Sequence, residues 1–236
     1  MENQLLSNAS TKLPKALSIS GNSAENSAQL HAFPPNRETL GGTAYLLRCE
    51  GFNILVDCPT WSDANRDFLQ AKGGIQWLVI SHRGGGSQVK KWQAEFNCRV
   101  VVQEQEAYLL PQVEVTSFHQ QFMIDDQHRL LWTPGHSPGS ACLYSTQAGG
   151  ILFTGRHLLP NRQGQLAPLR VSKTFHWPRQ LRSTQRLVQE FTAQTLRYGC
   201  PGANTGFLRG KGLVANAYDA IASLDFKQLK RSQPLL

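Results

Sequence analysis

The chain has 236 residues, 40% of them apolar, enough to bury a full core in one domain of two or more layers, and no apolar run is long enough to span a bilayer. Its net charge of +8 is unevenly spread: residues 1–150 carry 11 Lys and Arg against 13 Asp and Glu, whereas residues 151–236 carry 13 against 3. The basic last third suits nucleic acid, anionic lipid or an acidic protein as partner, or else a solubilising surface, and no basic run is interleaved with aromatics as single-strand binding favours.

Residues 1–27 are rich in Ser, Asn, Thr and Ala and read as a partly ordered leader, within which Leu13, Leu17 and Ile19 can add a strand at a sheet edge. The leader has neither a basic start nor an apolar segment, so no secretory signal is expected. Cys49, Cys58, Cys98, Cys142 and Cys200 have no paired spacing, as free thiols in a reducing cytoplasm would. Residues 28–236 are expected to form a single domain. Residues 43–48 and 52–57 form a hairpin about Glu50-Gly51, and residues 63–71 a helix stopped by Gly73-Gly74. The apolar run Trp77-Leu78-Val79-Ile80 then reads as a buried strand ending at Ser81-His82, with the loop Gly84-Gly85-Gly86 and a helix from Gln88 behind it. The carboxyl ends of such strands are where binding and chemistry collect, which makes His82 a candidate.

A strand at 99–102 and a helical turn at 104–109 follow. Residues 113–117, 121–124, 129–133, 140–145 and 150–154 read as short strands of an antiparallel sheet, with a turn at Asp125-Asp126. Residues 177–198 are helical, with Leu181, Leu187, Val188 and Phe191 on one stripe, Arg179, Arg182 and Arg186 off it, and Pro178 in the first turn. A strand at 197–200 and a helix at 213–224 close the chain. His119 and His128 read as surface or packing residues, and Ser62 as a helix cap.

The segments GGTAYLLRCEGFNILVDCP at 41–59, WLVISHRGGG at 77–86, LLWTPGHSPGSACLY at 130–144, ILFTGRHLL at 151–159 and YGCPGANTG at 198–206 resemble the metallo-β-lactamase superfamily. The resemblance implies an α+β (mixed α/β) fold, a four-layer αββα sandwich with its active site at one edge between the sheets. It also implies a metal motif of the form Ser/Thr-His-x-His-x-Asp-His. Ser81-His82 match that motif, but Gly84 stands for the second histidine, Gly86 for the aspartate and Ser87 for the third histidine. His136 of Thr-Pro-Gly-His is retained. Arg156 replaces the aspartate of Thr-Gly-Asp, and Ala203, followed by Asn204, replaces the last histidine.

A hydrolytic zinc centre needs three protein ligands and an open position for water. Glycine and alanine donate nothing, and the permanently protonated guanidinium of Arg156 repels a cation. The expectation is therefore a metal-free, catalytically inactive protein, a pseudoenzyme without cofactor. Its pocket, lined by Arg156, His82, His136 and the glycine loop 84–86 with Asp57 as a further candidate, would take a small carboxylate or phosphate. Two alternatives stand beside it. One is a hydrolase of an ester, thioester or lactone, working without metal or with one metal on His82, His136 and a recruited His157, Asp57 or Cys58. The other is a nucleic-acid-binding or acidic-protein-binding surface on Arg179, Arg182, Arg186, Arg197, Arg209 and Lys211.

Overall fold

The computed structural model describes residues 12–19, 28–204, 206–208 and 210–234; the rest of the expected leader, 1–11 and 20–27, and Arg209 lie outside the described residues. The first sheet has seven strands in chain order: β1 (Lys15–Ile19), β2 (Ala28–Ala32), β3 (Tyr45–Arg48), β4 (Asn53–Val56), β5 (Trp77–Ile80), β6 (Arg99–Gln103) and β7 (Val115–Phe118). Pairing is antiparallel from β1 to β4 and parallel from β4 to β7. The edge strand expected from Leu17 and Ile19 is β1, which lays both side chains into the core.

The parallel half is built by short crossovers. Ser62 caps α1 (Asp63–Ala71) by accepting from the Asn65 N–H. The helix stops where Gly73 and Gly74 take φ of 95° and 73°, and the Asn53 side chain holds that stop by donating to the Lys72 and Gly74 carbonyls. Gln88, expected as the first helical residue, is left-handed, and α2 runs Val89–Phe96. After β6, α3 is a single turn, Glu104–Ala107. The strand expected at 113–117 as part of the antiparallel sheet is β7 and belongs to the first sheet, parallel to β6, with Val100 opposite Val115. Residues 104–114, α3 among them, carry the chain back to the end at which β6 begins, and β7 then runs parallel to it.

The second sheet has the order β15-β14-β11-β10-β9-β8, from β8 (Gln121–Met123), β9 (His128–Trp132), β10 (Ala141–Ser145), β11 (Ile151–Gly155), β14 (Tyr198–Pro201) and β15 (Val214–Ala215). A small ribbon of β12 (Leu159–Pro160) and β13 (Leu166–Ala167) stands apart. The helix expected to reach residue 198 is α4 (Trp177–Glu190): Phe191 is extended, and Thr192 and Thr195 close a turn in which the Thr192 N–H donates to the Thr195 hydroxyl. The helix expected at 213–224 begins instead as strand β15, and after left-handed Asn216 continues as α5 (Ala217–Ala222). A last helix, α6, covers Phe226–Lys230.

Alternation of side chains across the strands sorts the core into three slabs. Leu30, Leu47, Ile54, Val56, Val79 and Val101 of the first sheet meet Leu130, Leu143, Ile151 and Phe153 of the second. Their neighbours Leu46, Leu55, Leu78, Ile80 and Val102 face the other way, onto Leu69 of α1 and Trp92 of α2. Leu131, Tyr144 and Leu152 face α4 and α5 through Leu187, Phe191 and Ile221. Each buried aliphatic or aromatic side chain contributes about 1.5–3 kcal/mol. The result is helix, sheet, sheet, helix, the expected four layers. Among the described residues, no helix is long and apolar enough to cross a membrane.

Candidate functional site

The ends of β4 and β5 set the floor of the site. Asp57, one residue past β4, is left-handed with φ 58° and buried. Its carboxylate accepts from the Ser81 N–H at 2.8 Å and from the Ser81 hydroxyl at 2.7 Å. Ser81 has a single hydroxyl proton and gives it to Asp57, so the 2.9 Å contact between Ser81 Oγ and His82 Nδ1 is donated by the imidazole. His82 is thereby fixed with its proton on Nδ1 and a lone pair on Nε2, and Nε2 is buried without a partner. Burial above all, with His136, Arg156 and Arg83 adding to it, holds the His82 pKa well below its ordinary range. Burial raises that of Asp57 to about 6, against the hydrogen bonds from Ser81 and the charge of Arg156.

His136 comes from the loop between β9 and β10, which is folded on itself by Thr133 N–H to Ser140 O at 2.8 Å and by Ser137 N–H to Ser140 Oγ at 3.1 Å. Gly135 lies so close to α4 that a Cβ there would sit 2.3 Å from Gln180 Cα, which is why the loop needs glycine. The His136 ring meets that of His82 edge-on, with centroids 5.5 Å apart, and its Nδ1 is buried without a partner. Burial first, then Arg156, Arg83 and Lys173, lowers its pKa to about 4. His157, fully buried, is fixed in the same manner as His82. The Thr184 hydroxyl donates to Gln180 O, so His157 Nε2 donates to Thr184 Oγ1 and Nδ1 keeps the lone pair. Burial, His136 and Arg186 lower its pKa to about 3. Glu106 of α3 also belongs here, though nothing in its sequence context marks it. It is buried, accepts from the Gly139 N–H at 3.0 Å, and has its pKa raised by burial.

The replaced positions do not converge. A Cβ on Gly84 would lie 3.1 Å from His82 Nε2, beside the retained imidazole. A Cβ on Gly86 would instead meet Val89 and Leu110 at 3.2 and 3.3 Å, so a carboxylate there would be set against the helical layer. The Ser87 hydroxyl donates to the Glu38 carboxylate. Ala203 is bridged to Gly42, and the Asn204 side chain accepts from the Gly206 N–H. Arg156 makes no contact ion pair with Asp57 among the described residues. Its Nη2 donates to the carbonyls of Thr39 at 3.0 Å and Leu40 at 2.7 Å, more than a hundred residues away in sequence. Beneath it Thr43 N–H donates to Gly202 O and Gly202 N–H to Gly155 O, so three segments from the two halves are laced together.

These residues do not fit a metal centre. Gly84, Gly86 and Ala203 offer no donor, a guanidinium stands where a bridging carboxylate would be needed, and Asp57 is committed to Ser81. Among the described residues, no group of three or more His, Cys, Asp or Glu is placed to hold a metal ion, so the mononuclear site with a recruited His157, Asp57 or Cys58 is not assembled. Trp61 packs edge-on against Trp92 at 4.6 Å, and the Trp177 indole N–H donates to the Leu229 carbonyl. The basic candidates divide. Arg179, Arg182 and Arg186 share α4, Arg197 packs against Gly149 and Tyr198, and Lys211 lies by β1.

No protein-family model matches the chain. The uncharacterized protein YmaE of Bacillus subtilis is 35% identical over 66 residues, which is 28% of this chain and 24% of that protein. A metallo-β-lactamase from Staphylococcus aureus is similar in structure, with TM-score 0.64, 14% identity, and 89% of this chain and 68% of that one covered. An archaeal metallo-β-lactamase superfamily protein from Sulfolobus tokodaii gives TM-score 0.56, 16% identity and coverage of 86% and 85%. A quorum-quenching N-acyl homoserine lactone hydrolase gives 0.52, 19%, and 78% and 87%. Two sheets face to face, helices outside both, and the Ser81-His82 and Thr-Pro-Gly-His136 loops at one edge give this chain the metallo-β-lactamase fold.

Proposed function

We propose that the chain is a metal-free, catalytically inactive protein of this fold that binds a small carboxylate or phosphate beside Arg156. The observation that supports this best is electrostatic: Arg156, Arg83 and Lys173 all act on one neutral imidazole, His136. Arg156 spends only Nη2 on backbone carbonyls, and its Nε and Nη1 groups make no hydrogen bond among the described residues, which leaves a guanidinium edge for an oxyanion. The anion sits on the Arg156 and His136 side. The lone pair of His82 Nε2 repels an unprotonated oxygen and instead takes a hydrogen bond from water or an O–H. Phosphate and acetate titrations followed through the histidine ring signals test the reading. A saturable shift of His136 that disappears in Arg156→Gln is expected, and no saturable shift at any histidine would sink it. Metal content per purified chain tests the other half: about one tightly held zinc or iron per chain would overturn it.

A second reading, hydrolysis of an ester, thioester or lactone without metal, is favoured by one feature. Asp57, Ser81 and His82 form a hydrogen-bonded series ending in an unprotonated Nε2, the arrangement of a general base. Chelator-insensitive turnover of such substrates, lost in His82→Ala, would replace the binding reading with this one.

A further inference from the structure

A second basic surface lies away from the imidazole pair, on the outer face of α4, and what it faces is an aromatic ring. Arg179, Arg182 and Arg186 follow one another at helical spacings of three and four, Arg182 and Arg186 exposed and Arg179 half-buried. None of the three has an acidic partner within ion-pair distance among the described residues. The nearby carboxylates are already engaged, Glu190 by Arg129 at 2.8 Å and Glu104 by His119. Like charges at such spacings destabilise a helix, so nothing in the folding of α4 itself calls for them.

Trp132, at the end of β9, stands in the middle of this surface. Its indole N–H is fixed on the Pro138 carbonyl at 2.9 Å, and its own carbonyl accepts from Arg186 Nη2 at 2.8 Å. The Arg179 guanidinium lies 5.9 Å from the Trp132 ring centre, and His119 stacks nearly parallel to it at 6.1 Å. Two hollows, of about 380 Å³ and about 180 Å³, share Trp132, Ser183 and Arg186 in their lining. The basic run and the aromatic ring that the linear sequence keeps apart are thus adjacent in space.

We infer that this face binds single-stranded nucleic acid, with the arginines on successive phosphates and a base set in the hollow against Trp132. Seven residues of α4 separate Arg179 from Arg186, about 10 Å of helix. Long arginine side chains reach beyond that length at both ends, so the three guanidiniums can meet neighbouring phosphates of one strand. A fixed indole presents a π-face to any base, so the face is expected to tolerate sequence, and its affinity is expected to fall steeply with salt. Duplex would leave Trp132 unused, because its bases are already stacked on each other.

The test is fluorescence anisotropy of labelled oligothymidylate, about 15 nucleotides long, with the full chain over a series of salt concentrations. Three chains are compared with the wild type: the triple variant Arg179→Ala, Arg182→Ala, Arg186→Ala; the single variant Trp132→Leu; and a charge-matched control, Lys90→Ala, Lys91→Ala, Arg99→Ala, on the exposed far side. Circular dichroism confirms that each is folded, and Trp132→Tyr stands in if Trp132→Leu is not, with part of the affinity retained. The expected result has three parts: a loss of salt slope of about two in the triple variant, a loss of about tenfold in affinity without change of slope in Trp132→Leu, and wild-type behaviour in the control. Equal losses in the triple variant and the control would overturn the inference. So would undiminished binding after Trp132 is changed, competition by duplex or by polyglutamate as effective as by single strand, or no binding by the folded wild type at about 0.15 M salt.

Discussion

A Cβ on Gly85 would sit 2.1 Å from Asp57 Oδ1, so the loop after β5 rests its backbone directly on a buried carboxylate. That contact ties the glycine loop to Asp57 as Ser81 does from the strand, and Cys58 N–H to Gly85 O at 2.8 Å closes the same corner. Gly85→Ala is therefore expected to cost about 1–3 kcal/mol through overpacking, or more if Asp57 is pushed off Ser81. Urea unfolding of the variant measures it, and a midpoint equal to the wild type's would show that the loop rests elsewhere.

Removing the guanidinium should loosen the lacing between the halves. Arg156→Met keeps most of the apolar stem and leaves the Thr39 and Leu40 carbonyls without their donor, which is expected to cost about 1.5–3 kcal/mol. Arg156→Asp is expected to destabilise further, because a carboxylate faces two carbonyl oxygens and buried Asp57. It is not expected to create a zinc site, since Gly84, Gly86 and Ala203 still offer no donor. Chemical denaturation with and without added zinc separates the two statements.

Acid should unfold this protein early. His136 and His157 have folded pKa values of about 4 and about 3 against an ordinary 6.5, so the unfolded chain takes up protons that the folded chain refuses. Their contribution is complete above pH 6.5 and is lost as the pH falls towards 4 and 3, at about 1.4 kcal/mol per unit and group. Asp57 acts in the opposite sense: raised to about 6 from 3.8, it contributes most below 3.8 and loses that contribution as the pH rises through 6. The histidines outnumber it, so the urea midpoint is expected to drop between pH 7 and 4.5. The drop should be shallower in His157→Gln and steeper in Asp57→Asn. A profile flat across that range would contradict the neutral, buried imidazoles.

The thiols should be inert until the protein unfolds. Burial pushes the Cys142 thiol up to about 12 and the Cys98 thiol up to about 11, and raises those of Cys58 and Cys200 as well. Because the thiolate is the reacting form, a disulfide reagent at pH 8 is expected to label the native chain slowly and to count five cysteines promptly only in denaturant. Cys49 is only half-buried, but burial pushes its thiol up to about 12 as well, so it too is expected to react slowly in the native chain.

What the sequence disclosed follows the range of the interactions involved. The hairpin of β3 and β4, strand β5 and helix α1 rest on period, capping residues and glycine stops within a few positions of each other, and they lie where the pattern places them. The local pattern places β7 in the wrong sheet because strand character is local and sheet membership is not. The same holds in the site. Ser81-His82 and the Thr-Pro-Gly-His136 loop are marked by motifs, and the structure brings the two rings together. Glu106 carries no mark, since its inward direction is set by a loop more than thirty residues later. The partners of Arg156 and the company of Trp132 likewise come from distant segments, and no window along the chain contains them.

The cation that laces the two halves is part of the polypeptide. A guanidinium cannot be chelated, exchanged for the wrong ion or depleted when the supply of transition metals falls, and it arrives in register with the chain as it is synthesised. The cost lies in adaptability: a bound metal can exchange its ligands during a reaction, whereas Arg156 holds Thr39 and Leu40 in one arrangement. That edge of the sandwich is fastened from within the chain itself.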